Sequence, residues 1–298
     1  MYADKTRPAV TIQKRFYNKE RVCPLITSTA IITPKSAAEA YAAYKDAASA
    51  VFLAGRQGVK HQKDHYDVAV DLSQTGLNRI EDCGDEIVVG AMVTMADLAA
   101  SPLMQELAGG AVCRYLKDIP ACEEKRRSTL GALVASKMPF SVVLPILLSL
   151  HVDVMLQDKG RMNLKDYLGC PPMGEMVTQL VIAKELVYTA YGAYRLSAAD
   201  EPYLTGAVSL YADDSWRIVV GGRPDAAAIA ESASEELTEK GMAVKENVAH
   251  LASEELHFAN YGTCSEAERR ALTIEMVRKL IKEAWKGHSK QLQTVMKK

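Results

Sequence analysis

No two of the six cysteines stand as a C-x-x-C pair, so neither a zinc knuckle nor an iron–sulfur ligand run is visible. Cys23, Cys83, Cys113, Cys122, Cys170 and Cys264 are scattered instead. That usage suits the reducing cytoplasm better than a secreted disulfide framework. A surplus of one charge is also missing. The 36 basic and 37 acidic residues nearly cancel, which gives no reason to expect nucleic acid or an anionic membrane as partner. An uninterrupted apolar run of membrane length is absent too. The most apolar stretch, residues 138–156, contains Pro139, Pro145, His151 and Asp153. It reads as a buried helix followed by a strand, not as a membrane span. The first twenty residues are charged throughout, so no secretory signal is expected there. No repeat, low-complexity tract or nucleophile–base–acid constellation stands out.

What is present is an ordinary globular composition, 48% hydrophobic and 24% charged over 298 residues, enough for two domains with sizeable cores. Residues 1–24 read as a polar, basic extension. Ser36 is a good N-cap for the Ala-rich helix after it, with Glu39 at capping-box spacing. Residues 50–54 read as a short buried strand, closed by a turn from Gly55 to Gly58. A strand with alternating character starts at Tyr66. The segment EIVVGAMVTMADLAASPLMQEL predicts a strand, then a helix opened by Thr94 with Asp97 three residues on. A small-residue turn at 128–132 precedes an apolar helix over 141–150, and strands follow near 151–156 and 178–187. Beyond them, strand-like runs at 204–211 and 216–220 alternate with turns at Asp213-Asp214 and Gly221-Gly222. Three helical stretches come next. The last has apolar residues at 272, 276, 277, 280, 281 and 284, an amphipathic stripe, and the polar tail after it is expected to fray. The expected organisation is an extension (1–24), an α/β domain (25–184), an α+β domain (185–287) and a tail (288–298).

Four segments, in order, resemble the FAD-binding (medium) subunit of the molybdopterin-dependent hydroxylases, the xanthine dehydrogenase and carbon monoxide dehydrogenase flavoprotein family. They are residues 32–59, 87–106, 126–156 and the C-terminal part. GAMVTMADL, residues 90–98, is the most specific, being similar to the family's G-A-x-V-T-x-A-D-L. The resemblance spans residues 25 to about 285. It implies a vanillyl-alcohol-oxidase-type FAD-binding domain of two α/β subdomains, followed by a C-terminal α+β domain. It also implies a role in which FAD takes electrons from iron–sulfur clusters on one partner subunit, the substrate is oxidised at a molybdopterin subunit, and NAD or another acceptor receives the electrons.

A diphosphate needs converging backbone N–H groups, which glycine-rich bends supply. The resemblance places the FAD-binding residues at Leu53, Ala54, Gly55, Arg56, Gln57, Gly58 and Val59, and at Ser128, Thr129, Gly131 and Ala132. Gly55, Thr129 and Gly131 match the family. Arg56, Ser128 and Ala132 stand where it has glycine, Gln57 where it has Thr or Ser, Leu133 for asparagine, and Val142 for aspartate. Two readings follow. In one, FAD binds, with Arg56 and the run Lys125-Arg126-Arg127 supplying charge-assisted bonds to phosphate. In the other, the pocket has closed, and the chain is a flavin-free assembly or interaction subunit of the same fold. The plainer readings stay beside these: turn glycines at Gly55 and Gly58, a solvated basic triplet, surface histidines at His61 and His65, and interface packing for Tyr191, Tyr194 and Arg195.

Overall fold

The computed structural model describes residues 27–55, 65–117, 126–197, 200, 202–260 and 264–295. Three sheets organise them, in a mixed α/β fold. The first sheet is parallel, with β1 (Thr27–Ile32) and β2 (Ala50–Leu53) on either side of β3 (His65–Asp71). Helix α1 (Ala37–Asp46) connects β1 to β2. It starts as its sequence predicts, with the Ser36 hydroxyl accepting from the Glu39 amide. The Glu39 carboxylate accepts from the amide of Lys35, one residue before the cap. β2 is half-buried along its length rather than fully buried, because it is an edge strand and the apolar centre belongs to β3.

The second sheet is antiparallel and mixes distant parts of the chain. It contains β4 (Ile80–Asp82), β5 (Glu86–Gly90), β6 (Val152–Leu156), β7 (Gly160–Asn163) and β8 (Val177–Ala183), in the order β4-β5-β8-β6-β7. Between β5 and β6 run the helices α2 (Met95–Ala100), α3 (Pro102–Glu106), α4 (Ala111–Lys117), α5 (Leu130–Ser136) and α6 (Leu144–Leu148). α2 carries the full capping box: Asp97 N donates to Thr94 Oγ1 and Thr94 N to Asp97 Oδ2, both at 3.1 Å. α6 is shorter than the apolar run 141–150 suggests. The Ser141 hydroxyl accepts from the Leu144 amide, and Ser149 turns back onto the carbonyls of Pro145 and Ile146. After β7, α7 (Leu164–Gly169) is capped by the Asn163 side chain.

The third sheet, β12-β11-β10-β9, is antiparallel. β9 is Val187–Tyr194, β10 Leu204–Tyr211, β11 Trp216–Gly221 and β12 Ala228–Ile229. Every residue of β10 is buried, and its faces serve different cores. Leu204, Val208 and Leu210 join the core under the C-terminal helices, while Ala207 and Tyr211 join the core of the first part. Burial on both faces explains why the strand lacks a polar, solvent-facing alternation, its Thr205 and Ser209 being buried as well. The helices are α8 (Glu231–Lys240), α9 (Lys245–Glu255) and α10 (Glu266–Val295). The predicted stripe of α10 is buried at Met276, Val277, Leu280, Ile281 and Ala284. The expected fraying at 288 is corrected: α10 continues to Val295. Tertiary packing holds it, with Trp285 stacked on Trp216 and His288 buried.

Candidate functional site

The first bend lies at the end of β2. Gly55 takes a left-handed φ of +76°, which glycine permits freely. A Cβ at this position would lie 2.1 Å from the carbonyl oxygen of Arg127. The second bend lies directly against it. Gly55 and Ser128 form an isolated antiparallel bridge, and Thr129 Oγ1 donates to Ala54 O at 2.8 Å. The structure therefore brings together two bends more than seventy residues apart. Of the residues expected at the site, Leu53, Ala54, Gly55, Ser128, Thr129, Gly131 and Ala132 are described. Arg56, Gln57, Gly58 and Val59 lie outside the described residues, as do Lys125 and His61.

A third segment completes the junction. Thr94 bridges Thr129, and Met95 N donates to Ser128 O at 3.0 Å. Leu130 N donates to Val93 O at 2.9 Å and Gly131 N to Ala91 O at 2.8 Å. These helix-start amides are the groups a phosphate would otherwise use. Gly131 is needed for close approach: a Cβ there would meet Ala91 Cβ at 2.5 Å and Ala91 O at 2.9 Å. Sequence reasoning singled out GAMVT as the most specific segment, yet assigned none of its residues to the site. Its carbonyls at Ala91 and Val93 set how much of the second bend faces inward.

Within this junction the Ser128 hydroxyl is buried and has no hydrogen-bond partner among the described residues. An unsatisfied buried hydroxyl costs about 1–3 kcal/mol, so a ligand oxygen there would relieve a real deficit. Arg126 and Arg127 follow one another on the exposed approach to Ser128. The left-handed cradle at Gly55, the unsatisfied Ser128 hydroxyl and the two exposed arginines that precede it in sequence fit a phosphate-bearing cofactor. Other altered positions have become core. Leu133 is buried in the main cluster, and Val142 packs half-buried against it.

The remaining singled-out residues are structural in the described parts. Tyr191 packs against Tyr115 with ring centroids 4.1 Å apart, and Tyr194 stacks near Tyr203. The His65 ring nitrogens meet the hydroxyls of Thr27 and Thr29. Asp213 accepts from Ser215 in the β10–β11 hairpin, where Asp214 has φ +65°. Among the described residues no group of His, Cys, Asp and Glu could hold a metal ion, and no helix is long and apolar enough to cross a membrane.

Residues 27–184 match the family described as FAD binding domain in molybdopterin dehydrogenase. The chain belongs to that family, whose cofactor is FAD. Among relatives, it is 24% identical over 185 residues to YgfM of Escherichia coli K12, an uncharacterized protein. That stretch covers 60% of this chain and 67% of YgfM. Among solved structures, it is similar to quinoline 2-oxidoreductase from Pseudomonas putida 86, with 20% identity and a TM-score of 0.77 over 87% of this chain and 97% of that one. Reconstituted CO dehydrogenase from Oligotropha carboxidovorans matches with 22% identity and a TM-score of 0.75, over 85% of this chain and 96% of that one. At these identities the likeness establishes the fold.

Proposed function

We propose that this chain is the FAD-binding electron-transfer subunit of a molybdenum hydroxylase-type complex. Its partners are iron–sulfur and molybdopterin subunits, and it passes electrons from the clusters to NAD or another acceptor in the cytoplasm. The bound flavin supplies the redox chemistry. The chain's own residues grip and orient it: Leu53 to Val59 from one bend, and Ser128, Thr129, Gly131 and Ala132 from the other. Residues 25–184 act as the flavin domain and 185–287 as the second domain. The observation that carries this reading is the Gly55–Ser128 bridge with its unsatisfied buried hydroxyl.

The test is the visible spectrum and melting curve of the purified chain before and after incubation with excess FAD. A flavin absorption band that survives gel filtration, with a raised Tm, supports the reading, because a ligand that binds only the folded state stabilises it. A specific observation favours a second reading, the flavin-free assembly subunit. The amides of Leu130 and Gly131 are engaged by Val93 and Ala91, and Leu133 lies in the core. A colourless protein with an unchanged Tm would decide for it.

A further inference from the structure

A second concavity lies away from the paired bends, where the chain leaves α5 and where β11 turns toward β12. Its volume is about 950 Å3, within the range of about 300–1,000 Å3 common for small-molecule sites. Leu148, Leu168 and Ile229 give it apolar walls, and Lys137, Arg223 and Cys170 line it as well. We propose that this recess binds a small organic anion, with a carboxylate or phosphate head and an apolar body.

The argument rests on where the charges sit. Arg223 is 9% exposed, and a buried cation is costly unless an anion faces it. Its Nε donates to His257 O at 3.0 Å and its Nη1 to Ala226 O at 3.4 Å. Its Nη2 makes no hydrogen bond among the described residues, and no carboxylate there comes within ion-pair distance of it. Lys137 is half-buried at a left-handed φ of +45° after α5, and its Nζ donates to Leu168 O at 2.9 Å. Two ammonium protons remain. Burial lowers the pKa of both groups from their ordinary values, with Cys170 and Asp225 opposing. The lining acids stand at the mouth. Glu231 pairs with Lys165 at 2.6 Å, Asp225 is exposed and 3.8 Å from His257, and Asp166 is exposed. Charges on the inner wall are less screened than those at the rim, so the interior favours an anion. Arginine and lysine recognise carboxylate and phosphate alike.

Cys170 is a free, exposed thiol on the same recess, and it provides the readout. Iodoacetamide modification of the full chain is followed by peptide mass spectrometry, with exposed Cys83 as internal reference. Benzoate and phenyl phosphate are the probes. At ten times its dissociation constant a blocking ligand slows alkylation about tenfold, and this is expected at Cys170 and not at Cys83. Lys137→Gln and Arg223→Gln should each raise the half-protecting concentration about tenfold or more. The half-buried Lys137 keeps the test available if the Arg223 variant fails to fold. Inorganic phosphate should protect more weakly, since it lacks an apolar body. The proposal is overturned if neither probe protects Cys170, if Lys137→Gln leaves protection unchanged, or if inorganic phosphate protects equally. It is also overturned if saturating FAD protects Cys170 and abolishes the benzoate effect, because the recess would then belong to the flavin site.

Discussion

Gly55→Ala tests the junction of the two bends at its tightest point. Two costs are separable. A Cβ on a left-handed residue costs roughly 1–2 kcal/mol wherever it occurs. At Gly55 the added atom would also lie 2.1 Å from Arg127 O, far inside the roughly 3.5 Å of an ordinary contact. A backbone carbonyl cannot rotate away like a side chain, so the bend must part from Ser128, losing about 0.5–1.5 kcal/mol for each hydrogen bond broken. The sum is about 3 kcal/mol. Gly160 isolates the first cost: its φ is +70°, with nothing within 4 Å of the added Cβ. Thermal unfolding followed by circular dichroism should drop by about 9 °C for Gly55→Ala and about 3–6 °C for Gly160→Ala. Since about 1–2 kcal/mol of the Gly55 effect falls at the binding bend, FAD affinity, measured by quenching of flavin fluorescence, should weaken about 5- to 30-fold. Gly160→Ala should leave it unchanged. The reasoning fails if Gly55→Ala melts no lower than Gly160→Ala, or if its FAD affinity stays within about threefold of the parent chain.

Ser128→Ala should act with opposite signs on the two states. The free protein gains about 1 kcal/mol by losing an unsatisfied hydroxyl, while FAD binding weakens about five- to tenfold; melts with and without FAD check both. Gly131→Ala forces a methyl onto Ala91 and should cost about 1–3 kcal/mol in denaturant unfolding without a change in m-value. Burial pushes the Tyr167 hydroxyl up to about 12 from 10.0. Its contribution is therefore present below pH 10 and is lost as pH rises from 10 through 12. Tyr167→Phe should remove the corresponding loss, on the order of 2 kcal/mol, from melts recorded across that window.

Features governed by neighbours three or four residues away are legible in the sequence alone. The Ser36 cap, the Thr94–Asp97 box and the stripe on α10 are of this kind, since each needs only helix geometry and a local hydrogen bond. Strand positions around Tyr66 and residues 204–211 were legible for a related reason: burial leaves an apolar pattern on the strand itself. Element ends were less so. The run 141–150 is apolar apart from Ser141 and Ser149, and those two serines bond to local backbone groups and trim the helix to Leu144–Leu148. α10 outlasts its apolar stripe because Trp285 meets Trp216, a residue far away in sequence.

The amino-acid sequence by itself determined the local elements, the mixed α/β class and, through resemblance, the two bends where a flavin belongs. Only the tertiary structure decided what those bends offer. Gly55 closes on Ser128, and the carbonyls of Ala91 and Val93 take the amides of Gly131 and Leu130. The physical reason is that a hydrogen bond between distant segments leaves no periodicity in either one. Which donors remain for a ligand depends on a sheet order, β4-β5-β8-β6-β7, that only folding establishes.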